Sequence, residues 1–353
     1  MEQKNKKVFV GMSGGVDSSV AAYLLKREGY AVTGVFMKVW QPEFVPCSAE
    51  DDRRDAMRVA ARLGIPFSTF NFEQEYKKDV ADYFIAEYAA GRTPNPDVMC
   101  NRYIKFGAYL RAAVAQGAEY IATGHYARVK KDSEGYHLLV GINENKDQSY
   151  FLHTLGQDEL SRTLFPIGNF TKPEVRQIAR RAGLPTAEKK DSQGLCFVGK
   201  LDMKEFLSHY IPQKRGAVVD TKGVVLGEHE GAAYYTLGQR HGFTARAKSP
   251  TTSPYYVVAK NISGNTLTVA HRPSATEHEI ALRDTHWTLR APSLKKRYGA
   301  RLRYRQELAP CSVRVGSKGD AIITFKKAPA FIPSGQSLVL YDKDECIGGG
   351  VIV

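Results

Sequence analysis

The stretch Val8-Phe9-Val10-Gly11-Met12-Ser13-Gly14-Gly15-Val16-Asp17-Ser18-Ser19 decides the fold. Its β-branched start suits a buried strand, and Val16, Val20, Ala21, Leu24 and Leu25 then recur at helical spacing until Gly29 supplies a stop. Strand, glycine turn and helix start follow in order, so the chemistry falls on the turn. Gly14 and Gly15 let the backbone approach a ligand closely. Helix-start amides and the hydroxyls of Ser13, Ser18 and Ser19 offer donors to an anion such as phosphate.

The turn is neither GxxxxGK[ST] nor GxGxxG, and no lysine sits where it would reach a terminal phosphate. SGGVDSS instead resembles the PP-loop of ATP pyrophosphatases, which bind ATP, transfer its AMP to a carbonyl oxygen and release pyrophosphate. The resemblance implies ATP as the bound nucleotide, with Gly11, Met12, Ser13, Gly14, Gly15, Val16, Asp17 and Ser18 around it. A plain Gly-Ser turn with Asp17 as a cap is the bland alternative. A cation, Mg²⁺, is expected to offset charge on departing pyrophosphate, with Asp17 a candidate contact through water.

The chain has 353 residues, enough for two or three domains. It contains no run of eighteen apolar residues, and its first residues lack the apolar segment of a secretion signal, so a cytoplasmic protein without membrane attachment is expected. Five cysteines, Cys47, Cys100, Cys196, Cys311 and Cys346, show no CxxC pairing. Neither a disulfide framework nor a four-ligand zinc site is suggested, and no metal ligand is assigned. The net charge of +13 points to a polyanionic partner, most simply nucleic acid, against the plainer reading of a basic enzyme.

Further strands at 31–37, 66–72 and 118–122 alternate with helices at 51–63, 75–90 and 103–116, which predicts a doubly wound parallel sheet with ligands beyond the carboxyl ends of its strands. Met37 ends the second strand and reads equally as adenosine neighbour or core. Between two helices, residues 91–102 hold Pro94 and Pro96, which predicts a rigid non-helical loop fixing Asn95, Asp97 and Cys100. Lys105 opens the next helix. Thr123-Gly124-His125 closes the strand at 118–122, where His125 is as readily structural as functional. Residues 128–131 and 137–140 read as a small hairpin, and Lys146-Asp147-Gln148 lead into a helix. Cys196 falls in a glycine-flanked loop beside Lys189 and Lys190; cations there favour a thiolate, although buried inert cysteines are commoner.

SGGVDSS, PNPDVMCNRYIKF, ATGHYA, KDQSYFL and KDSQGLCFVG, in this order, resemble the tRNA-specific 2-thiouridylase family. That family adenylates the 2-carbonyl oxygen of the wobble uridine in certain tRNAs and replaces it with sulfur carried as a cysteine persulfide. The resemblance implies that Cys196 carries the sulfur, that Cys100 attacks to free it or resolves the intermediate as a disulfide, and that Asp97 is the acid–base group. It further implies Asn95, Pro96 and Asp97 at the target base, Gly124 at the nucleotide, and His125, Lys146, Asp147, Gln148, Arg303, Tyr304 and Gln336 at the tRNA. A sulfur donor, a cysteine desulfurase or relay protein, is the other partner. Residues 41–48 depart from the acidic run of many members.

From about residue 216 the texture turns to short β-branched and aromatic runs, with strands read at 255–259, 266–270, 311–315, 321–325 and 337–341. The expected organisation is a catalytic domain over 1–200 and two small β domains over 201–276 and 277–353, the last barrel-like. Residues 295–305 hold six cations and two tyrosines, suited to phosphates and stacked bases or to a merely solvated strand. Two rival readings remain. One is a PP-loop enzyme acting on an amine or amino acid, which needs no pair of cysteines; the other is a non-catalytic RNA-binding or sulfur-carrier protein.

Overall fold

A computed structural model of the chain describes residues 5–45, 49–190, 203–245, 253–272, 277–316 and 319–353. Val8 and Val10 are fully buried, which makes β1 (Lys7–Gly11) the centre of a parallel sheet. Its other members are β2 (Ala31–Lys38), β3 (Phe67–Asn71), β4 (Tyr120–Ala122) and β7 (Thr163–Leu164), in the order β3-β2-β1-β4-β7. The chain leaves β1 to one side for β2 and β3, then returns on the other side as β4. The direction of winding thus reverses between β1 and β4, and the loops after those strands open at one crevice.

Helix α1 (Val16–Arg27) follows β1 and buries Val16, Val20, Ala21 and Leu25. Helix α2 (Ala49–Leu63) follows β2. The helix expected at 75–90 is present as one run from Glu73 to Ala89, with wider π turns over Lys77–Asp82.

The two-proline segment corrects the sequence reading. Asn95 caps a helix, its Oδ1 accepting from the Val98 N–H at 3.3 Å, and Pro96 occupies the first turn, where a missing N–H costs nothing. The helix runs through Pro96–Met99, π turns over Cys100–Ala108, and Tyr109–Ala115. Asp97 and Cys100 therefore project from a helix start rather than from a loop, and Lys105 lies at its middle.

The second half holds two further sheets. β8 (Gly216–Val219), β9 (Val225–His229), β10 (Tyr256–Asn261) and β11 (Thr266–Ala270) pair in the order β10-β11-β8-β9. In the last, β12 (Glu279–Trp287), β15 (Ala321–Phe325), β14 (Ala309–Val315), β13 (Tyr298–Arg301), β16 (Ser337–Asp342) and β17 (Glu345–Ile352) pair in that order. β17 returns to β12, closing a six-stranded barrel. The hairpin of β5 (Ala127–Lys131) and β6 (Tyr136–Val140) extends this barrel sheet. Leu139 is registered with Glu345, and the Val140 N–H donates to the Asp344 carbonyl at 2.8 Å.

All three parts meet on residues 91–95. Ile262 packs on Gly91, and the hydroxyls of Thr93 and Thr236 lie 3.1 Å apart. The Thr93 N–H donates to Ser334 O at 2.8 Å, and Asn95 Nδ2 to Gln336 Oε1 at 2.8 Å. Just before them, buried Glu87 accepts from Arg92 Nε at 2.7 Å and Arg283 at 3.3 Å, and the Arg92 hydrogen bond heads the causes that hold its carboxyl below the usual range.

Candidate active site at the strand switch point

The loop after β1 is shaped by its own hydroxyls. Ser18 Oγ and Ser19 Oγ donate to the Gly15 carbonyl at 3.2 and 2.8 Å, while the Ser13 N–H donates to Ser18 Oγ at 3.2 Å. Ser18 and Ser19 are buried, so of the three serines expected to meet an anion only Ser13 is exposed, its Oγ 3.3 Å from Ser18 Oγ. Gly14 has φ +73°, and a Cβ there would run into the Asp52 carbonyl of α2, so this position requires glycine. Met12 and Val16 are buried, and the Met12 N–H is bonded to Val35 O. Met37 lays its methyl against Gly11, and Gly124 abuts the Ser18 amide, where a Cβ would come within 2.6 Å. The nucleotide set inferred from sequence therefore converges on one helix N-terminus.

Asp17, second in α1, is held from two sides. Tyr126 OH donates to its Oδ1 at 2.8 Å, and Lys172 Nζ lies 2.8 Å from both carboxylate oxygens. The sequence reading found no lysine for this loop. Lys172 comes from the start of the helix Lys172–Arg181, positioned by Thr171 and Glu174 in a capping box.

The strand end joins the cradle to the cysteine helix. His125 is buried, with Nδ1 2.7 Å from Thr123 Oγ1 and Nε2 3.4 Å from Lys105 Nζ. An ammonium only donates, so Nε2 accepts and Nδ1 carries the proton. Burial and then the Lys105 charge push the imidazole pKa well below its ordinary value, so the ring is neutral. Both nitrogens are engaged by protein partners, Thr123 and Lys105. Asp97 exposes surface to solvent, yet protein crowds it enough for desolvation to raise its carboxyl pKa, with Lys105 opposing. A raised carboxyl suits proton transfer. Cys100 is a buried thiol one turn further on.

The residues expected at tRNA divide into two groups. Asp147 is buried: its Oδ1 accepts from the Gly141 and Ser149 amides at 3.1 Å each, and its Oδ2 from Ser149 Oγ at 2.9 Å and Arg301 at 3.0 Å. This carboxylate faces the barrel rather than solvent. Gln148 Oε1 accepts from the Tyr126 N–H at 3.0 Å, and Asn95 and Gln336 bond each other beside Tyr150. Pro96 is buried. Lys146 is half-buried, and Tyr304 packs on Phe151 with centroids 4.4 Å apart and Arg305 over its ring. Arg303 donates to Leu237 O at 2.6 Å. The six-cation run is likewise divided. Lys296 pairs with Asp342 and Arg301 with Asp147, while Lys295, Arg297 and Arg305 are exposed.

Cys47 and Cys196 lie outside the described residues. The chain before Cys196 is anchored beside the cradle. Thr186 Oγ1 donates to Ser19 Oγ at 3.0 Å, and Lys189 pairs with Asp52 and Asp55 of α2 at 2.7 and 2.6 Å. Beyond it, the helix Met203–Ser208 buries Phe206 against Phe84. Cys311 and Cys346 are buried in the barrel; burial pushes the former's pKa up to about 12 and the latter's higher still, so neither offers a thiolate.

Fold and site together define a nucleotide-binding α/β enzyme domain whose crevice is flanked by two β domains. Three family models match in succession: a tRNA methyl transferase HUP domain over 6–200, a tRNA methyl transferase PRC-barrel domain over 204–271 and an aminomethyltransferase beta-barrel domain over 277–352. The tRNA-specific 2-thiouridylase MnmA of Enterococcus faecalis is 47% identical over 359 residues, covering 99% of this chain and 96% of that protein. The protein of the same name from Idiomarina loihiensis is 48% identical, covering 100% and 97%. A solved 4-thiouridine synthetase–RNA complex with bound ATP is matched at 23% identity and TM-score 0.34, covering 59% of this chain and 50% of that one. The chain belongs to the tRNA-specific 2-thiouridylase family.

Proposed function

We propose that this chain converts the wobble uridine of tRNA to 2-thiouridine, consuming ATP and a persulfide sulfur and releasing AMP and pyrophosphate. One observation carries the reading: the strand end Gly124-His125 touches the anion cradle at Ser18 and the Asp97–Cys100 helix at Lys105. Nucleotide and acceptor chemistry thus share one crevice. Asp97 takes the uracil N3 proton as O2 bonds to the α-phosphorus and the bond to pyrophosphate breaks. The terminal sulfur of a Cys196 persulfide bonds to C2 and AMP leaves. Cys100 thiolate then attacks the Cys196 sulfur, which frees the thiocarbonyl as Asp97 returns the proton to N3, and leaves a Cys100–Cys196 disulfide. A thiol reductant supplies the two electrons that reopen it, and a sulfur donor recharges Cys196.

A divalent ion such as Mg²⁺ would accompany the triphosphate. The described residues contain no group of three carboxylate, histidine or cysteine ligands, and Asp17 is already held by Lys172 and Tyr126, so phosphate oxygens and water would be its main ligands. Exposed Lys295, Arg297 and Arg305 with Tyr304 are the proposed tRNA contacts on the barrel, and residues 1–200, 201–276 and 277–353 the proposed domains. Methyl transfer, the activity named by the HUP and PRC-barrel family models, breaks no phosphoanhydride and has no use for a phosphate cradle. The test is incubation with a tRNA transcript, ATP and a persulfide donor. AMP formation matched by replacement of one uridine oxygen with sulfur is expected; AMP formed on an amine acceptor without tRNA would overturn the proposal.

A further inference from the structure

We infer that Lys172 is a catalytic residue for the adenylation step, contacting the β- and γ-phosphates and stabilising the departing pyrophosphate; this deepens the function proposed above and rests on it. An aspartate at the second position of an anion-binding helix is an electrostatic anomaly, because its charge opposes the ligand that the free amides attract. Lys172 removes the anomaly. Its ammonium sits 2.8 Å from both Asp17 oxygens, and its side chain is only 12% exposed. A lysine so enclosed costs folding free energy unless an anion faces it. The neutral Asp17–Lys172 pair leaves the positive character of the helix start intact, and a three-proton ammonium that satisfies a carboxylate can also donate to a phosphate oxygen.

The surroundings fix that ammonium. Tyr126 donates to the same carboxylate, and its ring lies beneath Lys172 Nζ at 6.0 Å from the centroid. The Tyr126 amide is held by Gln148, and the lysine's own helix starts at a capping box. The point charge that other phosphate loops carry within their own sequence is here delivered from 155 residues downstream. As the bond between α-phosphorus and the bridging oxygen breaks, the new charge on pyrophosphate develops within reach of this group.

Titration calorimetry of inorganic pyrophosphate, with magnesium in the buffer, into the parent, Lys172→Ala, Lys172→Arg, Asp17→Asn and the Asp17→Asn/Lys172→Ala double variant tests this. AMP is the control ligand, and thermal melting confirms folding. Direct contact predicts that Lys172→Ala weakens pyrophosphate about tenfold or more in both backgrounds while AMP affinity holds and Lys172→Arg recovers part of the loss. If the loss disappears in the Asp17→Asn background, Lys172 acts only by neutralising Asp17 and the inference is overturned. Equal weakening of AMP and pyrophosphate overturns it as well. Failure of the proposed function is distinguishable, since the parent would then make no AMP with tRNA however its pyrophosphate affinity responds.

Discussion

Asp147→Asn separates a structural carboxylate from an RNA contact. The aspartate is 2% exposed and accepts four hydrogen bonds, three from residues 141 and 149 and one from Arg301 of the barrel. Asparagine can keep one oxygen for the two backbone amides at 3.1 Å, but its NH₂ would face the Arg301 guanidinium, which is a donor only. Breaking a buried ion pair from one side costs about 3–5 kcal/mol. Arg301 keeps 19% side-chain exposure and the Tyr341 ring at 4.9 Å, so the lower end, about 3 kcal/mol, is expected. Urea unfolding followed by tryptophan fluorescence in a Trp40→Phe background, which leaves Trp287 of the barrel as reporter, reads this loss. Asp147→Asn/Arg301→Met should recover most of it, because neither group is then left alone in the interior. Affinity for tRNA, measured where the variant is folded, should stay within about threefold. Unchanged stability together with an affinity drop of about tenfold or more would refute the reasoning and return Asp147 to the RNA surface.

Binding to tRNA should weaken steeply with salt; replacing exposed Lys295, Arg297 or Arg305 should each lower the slope of log K against log salt by about 0.7–0.9, whereas Lys296→Ala, whose partner is Asp342, should leave it unchanged. Cys196→Ser should make AMP but no thiouridine, and Cys100→Ser should accumulate a persulfide that mass spectrometry finds undischarged; full thiolation by either variant would mean a misassigned thiol. His137 is buried between Glu345 at 2.7 Å and Asp132 at 2.9 Å; burial opposes its charge, but the two carboxylates outweigh it and raise its pKa. A raised folded pKa gives stability that is complete below the unfolded value near 6.5 and lost as pH rises through the folded value. The stability difference between parent and His137→Gln should therefore shrink from mildly acid to alkaline pH, and a difference that grows would reverse the assignment.

The strand–loop–helix at residues 8–19 was legible because its signals are local: a β-branched run, two glycines and a helical period. The proline segment was misread because proline forbids a helix interior but favours a helix start, and only the Asn95 cap distinguishes the two. β17 escaped notice because Gly348-Gly349-Gly350 lacks strand formers. A Cβ at Gly349 would overlap the Leu338 carbonyl, so close approach within the barrel, not propensity, selects glycine there. β7 spans two residues, too few for any period to show. At the site, the cradle, Asp97 and Cys100 could be named, but Lys172 could not, since nothing in the chain near residue 172 points to a loop so far upstream. That Asp147 and His125 are buried among protein partners was not legible, because sequence does not say which way a polar side chain faces.

The pairing of β6 with β17 also sets a schedule for synthesis. A two-stranded hairpin is marginal in water without a third strand. The partner of this one leaves the ribosome roughly 200 residues later, about 10–40 s at ~5–20 residues per second. Throughout that interval the nascent α/β domain presents an open strand edge of the kind that templates unwanted pairing. A chain truncated before residue 337 would keep that edge permanently, so loss of the barrel should be felt first as aggregation of the catalytic domain.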